Sequence, residues 1–232
     1  MYQEHELLLE PQDNDMLWKY MSLPKFLNLL NGKLYFNRID SFEDVFEATF
    51  PKYNELHRDE VYGGKCPIPK QSFDAIVSHA KKHTYVSCFH KNEYESAFMW
   101  KLYAGEDGVA FVTSFERLKE SFCNEEKHIY ISNVQYIDYE NQYLPESNLF
   151  YLSIHKRKSF SHENEVRCIY VSDVSNTDGP TGMLMAVELK KLIEKVYISP
   201  YAPAYMRDDV ENILRSKGID AEVIYSPLYT IR

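Results

Sequence analysis

Short β-prone runs and short helical runs interleave along the whole chain in no fixed order and without an internal repeat. Stacked repeats and low-complexity arrays are thereby excluded, and the pattern fits an α+β fold. Met16 to Tyr20 reads as a strand, and Ser22-Leu23-Pro24 reads as a helix start with Pro in the first turn. Phe26, Leu27, Leu29 and Leu30 then recur at helical spacing until Asn31-Gly32, and Lys33 to Arg38 resumes as a strand. Further strands are expected at Thr84 to Phe89, Val109 to Thr113, Ile129 to Tyr139, Glu163 to Val171, Met183 to Val187, Val196 to Ile198 and Ala221 to Tyr225. Helices are expected at Ser72 to Lys82, Asn92 to Tyr103, Phe115 to Phe122, Leu149 to Phe160 and Ala204 to Ser216, with one helical turn at Lys190 to Ile193. The expectation is about eight short strands, mostly non-parallel and in mixed or split sheets, with about six helices. Residues 1–15 form an acidic leader and residues 16–232 one domain, and the alternative boundary falls at Asp173 to Gly182. Residues 51–70, with Gly63-Gly64 and Pro67-Ile68-Pro69, are the least periodic stretch and a candidate mobile insertion or lid.

Lys plus Arg number 26 against 35 Asp plus Glu, a formal net charge of −9, and a chain so acidic lacks the field of a nonspecific nucleic-acid or anionic-membrane binder. Aromatic residues make up 15% while Gly is only 8, enough ring area for a large core and few flexible joints. Cys66, Cys88, Cys123 and Cys168 are too widely spaced for a zinc site. No basic, apolar export signal or membrane-length run occurs, so a cytoplasmic protein with reduced thiols is expected.

The sharpest constellation is Glu163-x-Glu165-x-Arg167. On a strand, residues two apart share a face, so two carboxylates and a guanidinium would line up while Val166, Cys168 and Tyr170 point the other way. Adjacent acids push each other's proton affinities apart, which suits work at a cationic or sugar-like centre; a solvated edge strand is the plainer reading. The basic run Lys156, Arg157 and Lys158 stands just before it, where a pyrophosphate would need cations. Trp18-Lys19-Tyr20 and Tyr35-Phe36-Asn37-Arg38 could flank a groove for a nucleotide base and ribose, although ordinary packing accounts for the rings equally well. His79 and His83 read as a surface pair rather than metal ligands, and Cys88 with His90 lacks a third group for nucleophilic catalysis. No phosphate-loop, dinucleotide-binding or nucleophile-elbow pattern is present.

In order and spacing, Leu17-Trp18-Lys19-Tyr20, Gly32-Lys33-Leu34-Tyr35-Phe36, Phe42-Glu43-Asp44-Val45-Phe46-Glu47, Val86-Ser87-Cys88-Phe89, Met99-Trp100-Lys101-Leu102-Tyr103-Ala104, Gly108-Val109-Ala110-Phe111, and Lys156 with Phe160 and Glu163-x-Glu165-x-Arg167 resemble the bacterial family called domain of unknown function 2971. That resemblance runs from about Leu17 to Tyr229, with Val45 where the family loop is expected to carry Pro. A strand-borne Glu-x-Glu late in the chain, with an early strand bearing a basic residue and an aromatic, is more distantly similar to the ADP-ribosyltransferase superfamily. There NAD sits between two split sheets. The resemblance implies that Glu165 stabilises an oxocarbenium-like centre while Glu163 orients or deprotonates the acceptor. Lys19 would stand where His or Arg is usual, Tyr20 and Tyr35 would stack on the ligand, and Ser87 would be the polar residue of a central strand that lacks the Ser-Thr-Ser triplet. Trp100, Lys156 and Arg167 complete the expected ligand-binding set.

These readings imply NAD as co-substrate without a metal, a nucleotide or dinucleotide ligand, an unidentified macromolecular or small acceptor, no membrane partner, and a role as a toxin or phage-defence effector. The alternative from another class is a non-catalytic nucleotide- or protein-binding module, expected to gain thermal stability from its ligand without turnover. A metal-dependent phosphodiester enzyme is a third reading, and it requires further acids to complete a cation's shell.

Overall fold

The computed structural model describes residues 1–64, 66, 68–172 and 179–229. Among the described residues eleven strands run in chain order as β1 (Met16–Ser22), β2 (Lys33–Arg38), β3 (Thr84–Lys91), β4 (Gly108–Ser114), β5 (Tyr130–Asn133), β6 (Gln135–Ile137), β7 (His155–Arg157), β8 (Glu165–Val171), β9 (Gly182–Ala186), β10 (Lys195–Ile198) and β11 (Glu222–Tyr225). Nine of them join one mixed sheet, β11-β10-β4-β1-β3-β2-β9, with β8 paired to β3 and β5, and β6 and β7 form a separate parallel pair. The α+β class expected from the interleaving is therefore the observed one.

Strand β3 is where the sheet forks. Strand β8 runs antiparallel along one edge of it, from Thr84 opposite Val171 to His90 opposite Glu165. Its other edge is shared: β2 takes Tyr85 and Val86, while β1 takes His90 and Lys91. A gap opens at Ser87–Phe89, and a backbone acceptor buried there needs a donor. Lys19 of β1 supplies it, its Nζ donating to Cys88 O at 2.6 Å and Ser87 Oγ at 2.9 Å, above the Phe89 ring.

Alternation along the strands builds two faces. Leu17, Leu34, Phe36, Phe89, Phe111, Val166, Cys168 and Val196 look into the main core. The helices Leu23–Leu29, Phe115–Ser121 and Tyr205–Ser216 cover that core; in the last, Met206, Val210 and Leu214 are buried four residues apart. On the opposite face lie two smaller apolar clusters. One gathers Ile39, Val86, Leu152, Ile154 and Ile169; the other gathers Trp18, Tyr20, Trp100 and Val112. Residues 1–15 are not detached from this framework, since Tyr2 bridges Ile129 and the Leu9 amide donates to Ser132 Oγ.

Several boundaries differ from the expectation. The expected helix from Leu149 to Phe160 ends at Ile154: Phe150–Ile154 is helical, β7 follows, and Lys158–Glu163 is a 3-10 helix. Tertiary pairing of β7 with β6 outweighs local helix propensity there. The single strand expected from Ile129 to Tyr139 breaks into β5 and β6, because Val134 leaves the ladder and donates its amide to Glu165 O. The aperiodic 51–70 stretch carries a helix, Lys52–Val61, anchored by Asn54 and Arg58 to Leu144 O and Glu146. Pro67 of that stretch and most of the alternative boundary, residues 173–178, lie outside the described residues. Among the described residues no helix is long and apolar enough to cross a membrane.

The expected Asn92 to Tyr103 helix is a turn at Ala97–Met99 followed by a π-helical turn, Trp100–Ala104. Gly108 begins β4 against the end of that turn, and a Cβ placed on it would meet Ala104 O at 2.3 Å and Ala104 Cβ at 2.5 Å. Backbone rather than a flexible side chain would have to move. Gly108→Ala is therefore expected to cost about 1–3 kcal/mol by overpacking, seen as a lower urea midpoint. An unchanged midpoint would show that the π turn gives way freely.

Candidate functional site

Charges occupy the strip between the two apolar clusters. Glu165 and Arg167 leave β8 on the same side, as alternation requires, and Val166 and Cys168 face the main core. Glu163 is not on the strand as expected. It ends the 3-10 helix, and Asn164, in the left-handed conformation at φ 37°, turns the chain between them. The three residues still converge, because β7 feeds Lys156 into the same strip. Its Nζ bonds a Glu163 carboxylate oxygen and lies 2.7 Å from Glu165 Oε1.

The loop Ile39 to Phe50 adds one more carboxylate, Glu47. Arg167, with none of its surface exposed, donates from Nε to Glu165 Oε2 at 2.8 Å, and from Nη1 to Glu47 Oε1 at 2.7 Å and Ser153 O at 2.9 Å. Glu47 is itself buried, with Oε2 at 3.8 Å from Lys156 Nζ. Beside this group Arg157 pairs with Asp44 at 2.8 Å and stacks against Phe46 and Phe160. The expected free basic run is thus committed to carboxylates at two of its three positions, which removes Lys156 and Arg157 as a ready-made pyrophosphate clamp.

Counting charge explains the proton affinities. Glu47, Glu163 and Glu165 share two cations, Lys156 and Arg167, so one carboxylate is in excess. Burial opposes the charge of Glu165, but Arg167 and Lys156 overcome that and hold it well below the usual carboxylate range. Burial and the neighbouring Glu165 push Glu163 up to about 7, despite Lys156. Tyr103 donates its hydroxyl to Glu163 Oε1 at 3.0 Å, and Tyr136 Oη accepts the Glu165 amide at 2.9 Å. His90 Nδ1 lies 2.6 Å from Glu163 O, an acceptor only, so Nδ1 carries the proton and Nε2 a lone pair. Burial lowers the proton affinity of His90 and keeps the ring neutral, and it raises that of the Cys88 thiol to about 12. Cys88 is thereby poorly suited to act as a nucleophile.

The other expected ligand-binding residues divide. Lys19 and Ser87 meet in the fork on the main-core side, opposite the face that bears Glu165; burial lowers the proton affinity of Lys19, which has no carboxylate within ion-pair distance among the described residues. Tyr20 and Trp100 pack edge to face at 5.1 Å, with the Tyr20 hydroxyl accepting from Ser96 N and the Trp100 indole donating to Glu95. Tyr35 stands apart, about half exposed on β2, with its ring over Gly182, where a Cβ would come within 1.9 Å of the hydroxyl. Glu163, Glu165, Lys156 and Arg167 are thus brought together; Lys19, Tyr20, Tyr35, Ser87 and Trp100 are not part of that group.

Sequence reasoning missed Glu47, Tyr103, Tyr136 and the backbone role of His90. For Glu47 a signal existed: acids set among Phe42, Phe46 and Phe50 in an ordered loop need buried partners. His83, read as half of a surface pair with His79, is almost fully buried. Among the described residues no group of three or more His, Cys, Asp or Glu is arranged to hold a metal ion.

No curated protein and no solved structure matches the chain. Residues 99–168, under a third of the sequence but holding Tyr103, Lys156, Glu163, Glu165 and Arg167, match the family described as Protein of unknown function (DUF2971).

Proposed function

We propose that the protein is an ADP-ribosyltransferase-like enzyme of the cytoplasm that uses NAD to modify a macromolecular or small acceptor, in the manner of a toxin or phage-defence effector. One observation carries the reading: two carboxyl groups share one lysine, yet one is held well below the usual carboxylate range and the other is raised to about 7. Such a divided pair assigns its own roles. When the bond from ribose to nicotinamide breaks, positive charge develops at the sugar carbon, and the ionised Glu165 offsets it. Glu163 takes the acceptor's proton, since its proton affinity sits near working pH. Tyr103 covers Glu163 with a ring that is partly exposed, and it marks the side from which a ligand would approach.

Glu163→Gln keeps an oxygen for Tyr103 and removes the titrating group. NAD turnover is expected to fall by about 100-fold or more, and the wild-type rate to rise with pH through about 7. The proposal is dropped if purified protein neither consumes NAD nor gains thermal stability from it. A second reading, a non-catalytic binding module, draws on the burial of both carboxylates, 4% and 6% exposed. Thermal stabilisation by NAD with no turnover at any pH would favour it.

A further inference from the structure

A cavity of about 500 Å³ adjoins the charged strip at Ser153, whose carbonyl Arg167 holds, and extends between the end of the helix Lys70–His83, the end of β8 and the segments 127–130 and 148–153. His83, at 2% exposure, lines it with Nε2 lacking a hydrogen-bond partner among the described residues. The other ring nitrogen is engaged: Nδ1 is 3.1 Å from Ser172 Oγ, and Ser172 Oγ is 3.3 Å from His83 O. With the hydroxyl proton directed to that carbonyl, Nδ1–H donates to Ser172, and Nε2 is left as a buried lone pair. An orphaned buried acceptor beside a cavity of ligand size calls for a donor brought by something else.

The lining says what that something is. Tyr130, Phe150 and Tyr170 supply aromatic and apolar walls, and Lys127, His128 and Asn148 supply donors. No carboxylate lines the cavity among the described residues, although the chain carries a net −9. The cation is only loosely held, since Lys127 Nζ lies 3.4 Å from Glu125 Oε1 and keeps more than a third of its side chain exposed. A planar ring with an N–H donor would satisfy His83, and a group with several anionic oxygens would satisfy the spread of donors at Lys127, His128 and Asn148.

We infer that this cavity is a mononucleotide-binding site, in which a nucleobase stacks on the aromatic wall and donates to His83 Nε2 while a phosphate meets Lys127, His128 and Asn148. It meets the Glu163 network at Ser153, is lined by none of the charged residues of that network, and does not depend on the reaction proposed for it. AMP, adenosine and inorganic phosphate are the probes, titrated into the full chain by calorimetry and thermal shift. AMP is expected to bind saturably, at least 10-fold more tightly than adenosine or phosphate alone. Lys127→Met, a surface change that leaves the fold intact, is expected to weaken AMP by at least 5-fold and to leave adenosine unaltered. His83→Phe should weaken AMP and adenosine alike. The inference is overturned if AMP binds no better than phosphate, or if AMP binds equally to wild type and Lys127→Met. It is also overturned if Glu163→Gln rather than Lys127→Met abolishes the binding.

Discussion

Arg167→Met is expected to destabilise the fold by about 3–5 kcal/mol, because removing one partner from a buried ion network strands the others. The guanidinium has no exposed surface and stands between Glu165 and Glu47, both nearly buried. It also holds Ser153 O, a backbone acceptor that Met cannot satisfy. For a chain of this length the loss corresponds to a melting temperature lower by on the order of 10 °C, read by calorimetry at neutral pH. Adding Glu47→Gln to Arg167→Met should return part of that loss, since it removes one stranded carboxylate while keeping its volume. A single-variant loss below about 1 kcal/mol would show that Glu47 and Glu165 find other partners and that the network contributes little.

The contrast between these residues and their neighbours shows what a sequence can disclose. Strand β2 was readable end to end, Lys33–Arg38, because Leu34 and Phe36 alternate with polar residues into one core. The last long helix was readable too, since Met206, Val210 and Leu214 mark one face and Gly218, at φ +68°, takes the conformation that ends it. Glu165 and Arg167 share a face for the same local reason. What alternation cannot carry is the partner across the chain. Glu47 is 120 residues from Arg167, and nothing at either position specifies the pairing. Helical spacing over Leu149 to Phe160 places Lys156 in a basic cluster on a helix; pairing with β6 turns His155–Arg157 into a strand and aims the Lys156 ammonium inward at the carboxylates. The fork in β3 is equally non-local, since it arises only when β1 and β2 compete for one edge. Lys19 is expected from the sequence to face a ligand, and its visible work is to cap Cys88 O.

Lys156→Met should produce a loss whose size depends strongly on pH, and the sign follows from the excess carboxylate. In the wild-type protein Glu163 binds its proton more tightly than the ordinary 4.5, at about 7. Between those values the folded state holds up to about one proton more than the unfolded chain, so the contribution of Glu163 to stability falls as pH rises through that window. Lys156 is the group that limits this shift, by hydrogen bonding and by charge. Without it, Glu47, Glu163 and Glu165 face Arg167 alone, and ionising Glu163 becomes harder still. The expected loss is about 3–5 kcal/mol at pH 8, where the folded network must either bury an unpaired carboxylate or hold Glu163 protonated against the solvent pH, and clearly smaller at pH 5.5, where Glu163 stays protonated in both proteins. Glu163→Gln in the same chain should remove most of the pH dependence, because the remaining network no longer contains the group that titrates near neutrality. Urea denaturation of wild type, Lys156→Met and the double variant at the two pH values tests this directly. Equal losses at both would show that Lys156 acts through packing of its stem on Phe160 instead of through its charge.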